Sequence, residues 1–117
     1  MWMAKRVMDI GALGVIFPFA SSLERIREAT RACRYPPMGG RGCGPTLAQI
    51  AWGLDEQKYY AWANKNIMCC VIIEEGGAAD DVDELAQVPG IDLLFIGTAD
   101  LTFSIMGDKS KLADQKV

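Results

Sequence analysis

Two acidic residues each close an apolar run. Glu74 follows Met68-Cys69-Cys70-Val71-Ile72-Ile73, and Asp100 follows Leu93-Leu94-Phe95-Ile96-Gly97-Thr98-Ala99. Short continuous apolar runs of this kind read as strands of a parallel sheet. The two acids stand 26 residues apart, with a helix-like segment between them. That is the size of one strand–helix–strand unit, whose strands are parallel and whose crossover is right-handed. Both carboxylates then emerge at one edge of the sheet, the edge where parallel α/β folds build their sites. Two carboxylates meeting there suit a hard divalent cation, Mg2+ or Mn2+. Such a cation takes oxygen ligands and keeps positions open for water and substrate. The competing reading is that each acid is solvated or caps the helix after its strand.

Other groups offer chemistry more weakly. Gly97-Thr98-Ala99 lets the backbone approach a ligand and could present N–H groups to an anion, or it is simply a tight turn. The stretch Gly39-Gly40-Arg41-Gly42-Cys43-Gly44 is glycine-rich but fits neither the phosphate-loop nor the dinucleotide pattern. Arg41 within it could grip a carboxylate or phosphate bidentately, or could be a surface arginine on a flexible loop. Glu75 points away from Glu74 in an extended chain and is expected to cap the next helix. Tyr59, Tyr60 and Trp62 read as packing residues.

The elements that must position these residues follow from periodicity. Residues 2–9 read as a short helix, and Val15 to Phe19 as a strand buried on both faces. Ser21 with Glu24 forms a capping-box pattern, opening a helix whose inner face is Leu23, Ile26, Thr30 and Cys33. Pro36-Pro37 ends it. Residues 36–54 read as one long connection. Asp55 to Asn66 reads as a helix and Ile67 to Glu74 as the second strand. Gly76 to Val88 reads as an acidic amphipathic helix with Val82, Leu85 and Ala86 inward, and Ile91 to Ile96 as the third strand. The tail after Met106 carries no strong element. Alternating helices and strands argue a parallel α/β architecture. Three strands are fewer than a (β/α)8 barrel of ~200–250 residues requires, so the chain reads as an interior slice of such a barrel.

Composition narrows the classes. The chain has 117 residues, is 50% hydrophobic and 23% charged, and carries a net charge of −3. It is globular in type, with no excess of positive charge for nucleic acid. It contains no histidine, which removes the commonest general base and zinc ligand. Cys33, Cys43, Cys69 and Cys70 form no CxxC pair, so free thiols in a reducing cytoplasm are expected, with neither a disulfide framework nor a zinc site. Lys5 and Arg6 ahead of Ile10 to Ala20 faintly imitate a signal peptide, but Asp9 and Pro18 interrupt the pattern. No apolar run reaches the ~20 residues of a membrane-spanning helix.

Several ordered motifs together carry a resemblance. They are Arg34-Tyr35-Pro36-Pro37, Arg41-Gly42-Cys43-Gly44, Ile73-Glu74, Val88-Pro89-Gly90-Ile91-Asp92 and Phe95-Ile96-Gly97-Thr98-Ala99-Asp100-Leu101. From about Lys5 to Met106 the chain resembles the HpcH/HpaI aldolase family, relatives of the citrate lyase β subunits. The resemblance implies a single partial domain over residues 1–117, part of a TIM barrel of the phosphoenolpyruvate/pyruvate type. It implies metal-dependent making or breaking of a carbon–carbon bond beside pyruvate, with no Schiff-base lysine. Glu74 and Asp100 match the family's metal ligands, and Gly97, Thr98 and Ala99 the turn that holds the pyruvate carboxylate. Arg41 matches a segment near the mouth of the site. Ile72, Glu75 and Thr98 stand where the family usually has Gln, Thr and Pro, which touches substrate choice. The family's catalytic histidine and substrate arginine belong to upstream strands. The expectation is therefore half a site, a chain with little or no activity alone, and association through open sheet edges into a homo-oligomer. A lyase acting on a CoA thioester and an inactive barrel remnant are the alternatives.

Overall fold

A computed structural model describes residues 2–108. Among these residues seven helices and three strands follow one another: α1 (Trp2–Asp9), β1 (Gly14–Phe17), α2 (Leu23–Cys33), α3 (Thr46–Ala51), α4 (Glu56–Asn66), β2 (Met68–Ile73), α5 (Gly76–Asp80), α6 (Val82–Leu85), β3 (Leu93–Ile96) and α7 (Thr98–Met106). The strands form one parallel sheet in the order β1-β2-β3. Gly14 lies beside Met68 and Phe17 beside Val71, while Cys70 lies beside Leu93 and Ile73 beside Ile96.

The two faces of the sheet differ. Successive strand residues point to opposite sides. Cys69, Val71 and Ile73 turn toward the helices and are fully buried, joined there by Val15, Phe17 and Leu94. Ile26, Ala29 and Cys33 of α2, with Tyr59 and Ala63 of α4, complete that core. The other face carries Ile16, Met68, Leu93 and Phe95, which stay about 40 to 50% exposed. The expectation that β1 is buried on both faces is therefore corrected: Ile16, on the face turned away from the helical core, is 53% exposed.

Other expectations shift in detail. The helix start at Ser21 moves one residue on, where Ser22 Oγ accepts from the Arg25 amide at 3.3 Å. The long connection contains α3, held by Trp52 Nε1 donating to the Gly11 carbonyl at 3.2 Å. The acidic helix breaks at Asp81 into α5 and α6, with Leu85 buried and Ala86 exposed. Two glycines at its start lower its helix propensity. Asp55 caps α4 by accepting from the Lys58 amide at 2.9 Å. Tyr35, Tyr59 and Tyr60 pack edge to face, as their packing role requires.

The N-terminal ends of the strands are stapled. Arg34 donates from Nη1 to the Ile67 carbonyl at 2.7 Å and from Nη2 to Asp92 Oδ2 at 2.9 Å. The same Oδ2 accepts from the Cys69 amide at 2.7 Å. One arginine thus ties the end of α2 to the starts of β2 and β3 and fixes their register.

Candidate metal centre

The opposite ends of the same strands hold the predicted site. Glu74 is the first residue beyond β2, on the same side as Cys70 and Ile72, the face left open. It is nonetheless only 7% exposed. Its Oε1 accepts from the Phe19 amide at 2.6 Å, so the chain beyond β1 reaches across to it. Among the described residues no ion pair involves Glu74. A buried carboxylate with one N–H donor and no cation costs free energy unless a positive charge joins it.

Gly97 closes the other side. Its amide donates to the Ile73 carbonyl at 2.9 Å, continuing the β2–β3 ladder one residue past β3. A Cβ placed there would lie 2.9 Å from Ile72 Cγ2, 3.0 Å from Glu74 Cβ and 3.4 Å from Glu74 Oε2. A larger residue would press on the Ile72 methyl and on Cβ of Glu74. Gly97 is also the N-cap of α7, whose first turn contains Thr98, Ala99 and Asp100, all exposed. Buried Leu101 and Thr102 hold α7 against the body. Ser104 Oγ accepts from the Gly76 amide at 3.2 Å, linking α7 to the segment just after Glu74. Glu74, Gly97, Thr98, Ala99 and Asp100 therefore share one sheet edge, as their spacing predicts.

Among the described residues, no cluster of three or more His, Cys, Asp or Glu side chains surrounds this edge. Among the described residues at most two carboxylates group at this edge. That donor set fits Mg2+ or Mn2+, which retain several waters, and does not fit a closed zinc site of nitrogen and sulfur.

Arg41 is placed elsewhere. It is 2% exposed, with Nη2 donating to Asp9 Oδ1 at 2.7 Å and the guanidinium 4.5 Å from the Tyr35 ring centroid. Burial pulls against its charge, but Asp9 and Tyr59 outweigh that and hold its pKa above the ordinary value. This guanidinium braces α1 against the aromatic cluster under the helices. Glu75 takes the N-cap position of α5, but its side chain makes no capping bond. The four cysteines are free thiols. Contact between the buried Cys33 and Cys69 lowers the first thiol's pKa and raises the second's.

Two features escaped the sequence reading. Asp92 carried a usable signal, an acid just ahead of an apolar strand, on the edge away from the site. Phe19 carried none. It adopts φ 55°, the one positive φ among the described non-glycine residues. A left-handed conformation costs such a residue about 1–2 kcal/mol, and strain of that kind gathers at functional sites.

Parallel strands, helices packed on one face and carboxylates at the C-terminal edge define an α/β chain with a sheet-edge site. Residues 1–116 match the HpcH/HpaI aldolase/citrate lyase family, and the chain belongs to that family. It is 39% identical over 112 residues to the hydroxypyruvate/pyruvate aldolase of Roseovarius nubinhibens, covering 94% of this chain and 44% of that one. It is 42% identical over 102 residues to the 2-keto-3-deoxy-L-rhamnonate aldolase of Escherichia coli K12, covering 86% and 38%. The crystal structure of an HpcH/HpaI aldolase from Desulfitobacterium hafniense superposes with a TM-score of 0.86 at 31% identity, over 97% of this chain and 44% of that one. The chain thus spans less than half the length of these relatives.

Proposed function

We propose that the chain supplies the carboxylate half of a divalent-cation site in an aldolase-type lyase acting on 2-keto acids. The observation that carries this reading is the buried Glu74 carboxylate, held by Phe19 and Gly97 and lacking an ion pair among the described residues. Family membership supports the lyase class, and the names of the aldolase relatives support a keto acid as substrate. The three strands are read as part of a (β/α)8 barrel, residues 1–117 as one partial domain, and the open apolar face as the barrel interior.

Glu74 and Asp100 would hold Mg2+ or Mn2+. Bound there, the cation would supply Lewis-acid polarisation of the keto acid. The first-turn amides at Thr98 and Ala99, at the positive end of α7, would receive the substrate carboxylate beside Gly97. Glu74 offers a fixed oxygen from a site partly shielded from water, which strengthens its hold on positive charge. The described lysines, Lys5, Lys58 and Lys65, all lie on α1 or α4 and none in the segments that follow β2 or β3, which accords with a route without a Schiff base. Arg41 is left out of the site because its guanidinium is committed to Asp9. The chain has no histidine to handle a proton, so the same polypeptide alone should turn over little or no 2-keto-4-hydroxy acid.

Mn2+ binding followed by electron paramagnetic resonance tests the reading. Glu74→Ala and Asp100→Ala should each abolish binding, with circular dichroism unchanged. Unaltered binding in both variants refutes it.

A further inference from the structure

Phe19 stands in a conformation that its own side chain does not explain. The ring is 55% exposed, so burial does not hold it. What fixes the residue is its backbone. Its N–H donates to Glu74 Oε1 at 2.6 Å, and its carbonyl accepts from the Ser21 amide at 2.9 Å and from Arg25 Nη1 at 3.3 Å. Ser22, the N-cap of α2, in turn accepts from the Arg25 amide. A chain of contacts therefore runs from the first turn of α2, through the left-handed Phe19, to one oxygen of Glu74.

We propose that Phe19 is a positioning residue. Its backbone N–H occupies Oε1 of Glu74 and so presents Oε2, the oxygen nearer Gly97, to the cation; Arg25 holds Phe19 in the conformation that allows this. The role rests on the metal reading above. It differs from a packing role because the ring contributes nothing to it. An outer contact that orients a ligating carboxylate is commonly worth tenfold or more in metal affinity.

The test uses the full 117-residue chain. Replacing the Pro18–Phe19 amide by an ester removes the N–H and keeps the ring. Mn2+ affinity should fall about tenfold or more. Phe19→Gly keeps the N–H, loses the ring and relieves the left-handed strain. It should bind Mn2+ within about twofold of the parent and melt no lower. In the unmodified, metal-free chain, a scalar coupling across the hydrogen bond should link the Phe19 nitrogen to the Glu74 carboxyl carbon. Its absence overturns the proposal even if the ester chain fails to fold. Glu74→Gln separates the two ideas. If Glu74→Gln loses Mn2+ and the ester does not, the positioning role is wrong and the metal site stands. If Glu74→Gln, or the parent, shows no dependence of binding on this carboxylate, the metal reading falls and takes the positioning role with it.

Discussion

The two ends of the sheet treat their charges in opposite ways. At the N-terminal end, Asp92 Oδ2 accepts from both Arg34 and the Cys69 amide, and Arg34 also binds the Ile67 carbonyl. Positive and negative charge are matched, and the polar groups are satisfied within the chain. At the C-terminal end, Glu74 is as buried as Arg34, each 7% exposed, yet it receives a single backbone N–H. One end spends its charges on holding register. The other keeps a carboxylate under-partnered, which is costly for stability and useful only if something binds there.

The sharpest way to break this contrast is at the stapled end. Arg34→Ala leaves the Ile67 carbonyl and Asp92 without their guanidinium. Loss of one partner of a buried pair costs 3–5 kcal/mol, and the partial exposure of Asp92 places this case at about 3 kcal/mol. Urea denaturation should show that loss; a change below about 1 kcal/mol would mean the staple is ornamental. Next in size is Gly97→Ala, where a Cβ would meet Ile72 Cγ2 at 2.9 Å. Overpacking of this kind should cost about 1–2 kcal/mol and push Glu74 aside, weakening Mn2+ binding together with stability. The smallest effect belongs to Glu74→Gln. The amide oxygen can still accept from Phe19 while the buried charge disappears, so stability should hold within about 1 kcal/mol or rise, even as Mn2+ binding is lost. A loss as large as that of Arg34→Ala would show that Glu74 is a structural acid, and the two ends would then be alike.

Much of this was legible beforehand. The strand ends at Glu74 and near Asp100 followed from apolar runs and crossover spacing, and those cues depend only on local pattern. The helix over Asp55 to Asn66 and the packing of the tyrosines followed likewise, though Asp55 itself turns out to be the cap and not the first helical residue. Arg41 shows where local reading stops. Nothing in Gly-Gly-Arg-Gly distinguishes a guanidinium facing a ligand from one buried against Asp9, 32 residues away. The short α3 escaped because it is settled by tertiary contacts such as that of Trp52 with Gly11 more than by propensity. Phe19 escaped most completely, since its conformation depends on a carboxylate 55 residues further along the chain.

That separation bears on the order in which the edge assembles. The Cys69–Asp92 contact that aligns β2 with β3 closes over 23 residues, whereas the Phe19–Glu74 contact closes over 55. Loop-closure entropy makes the longer ring about 0.8 kcal/mol harder to form. The unit carrying Glu74, Gly97 and Asp100 should therefore zip together first, with the β1 arm arriving afterwards. In kinetic experiments, mutations around the β2–β3 seam should slow refolding, while loss of the Phe19–Glu74 hydrogen bond, as in the ester chain, should mainly hasten unfolding. The strained residue that orients the carboxylate would be the last piece to lock and the first to let go.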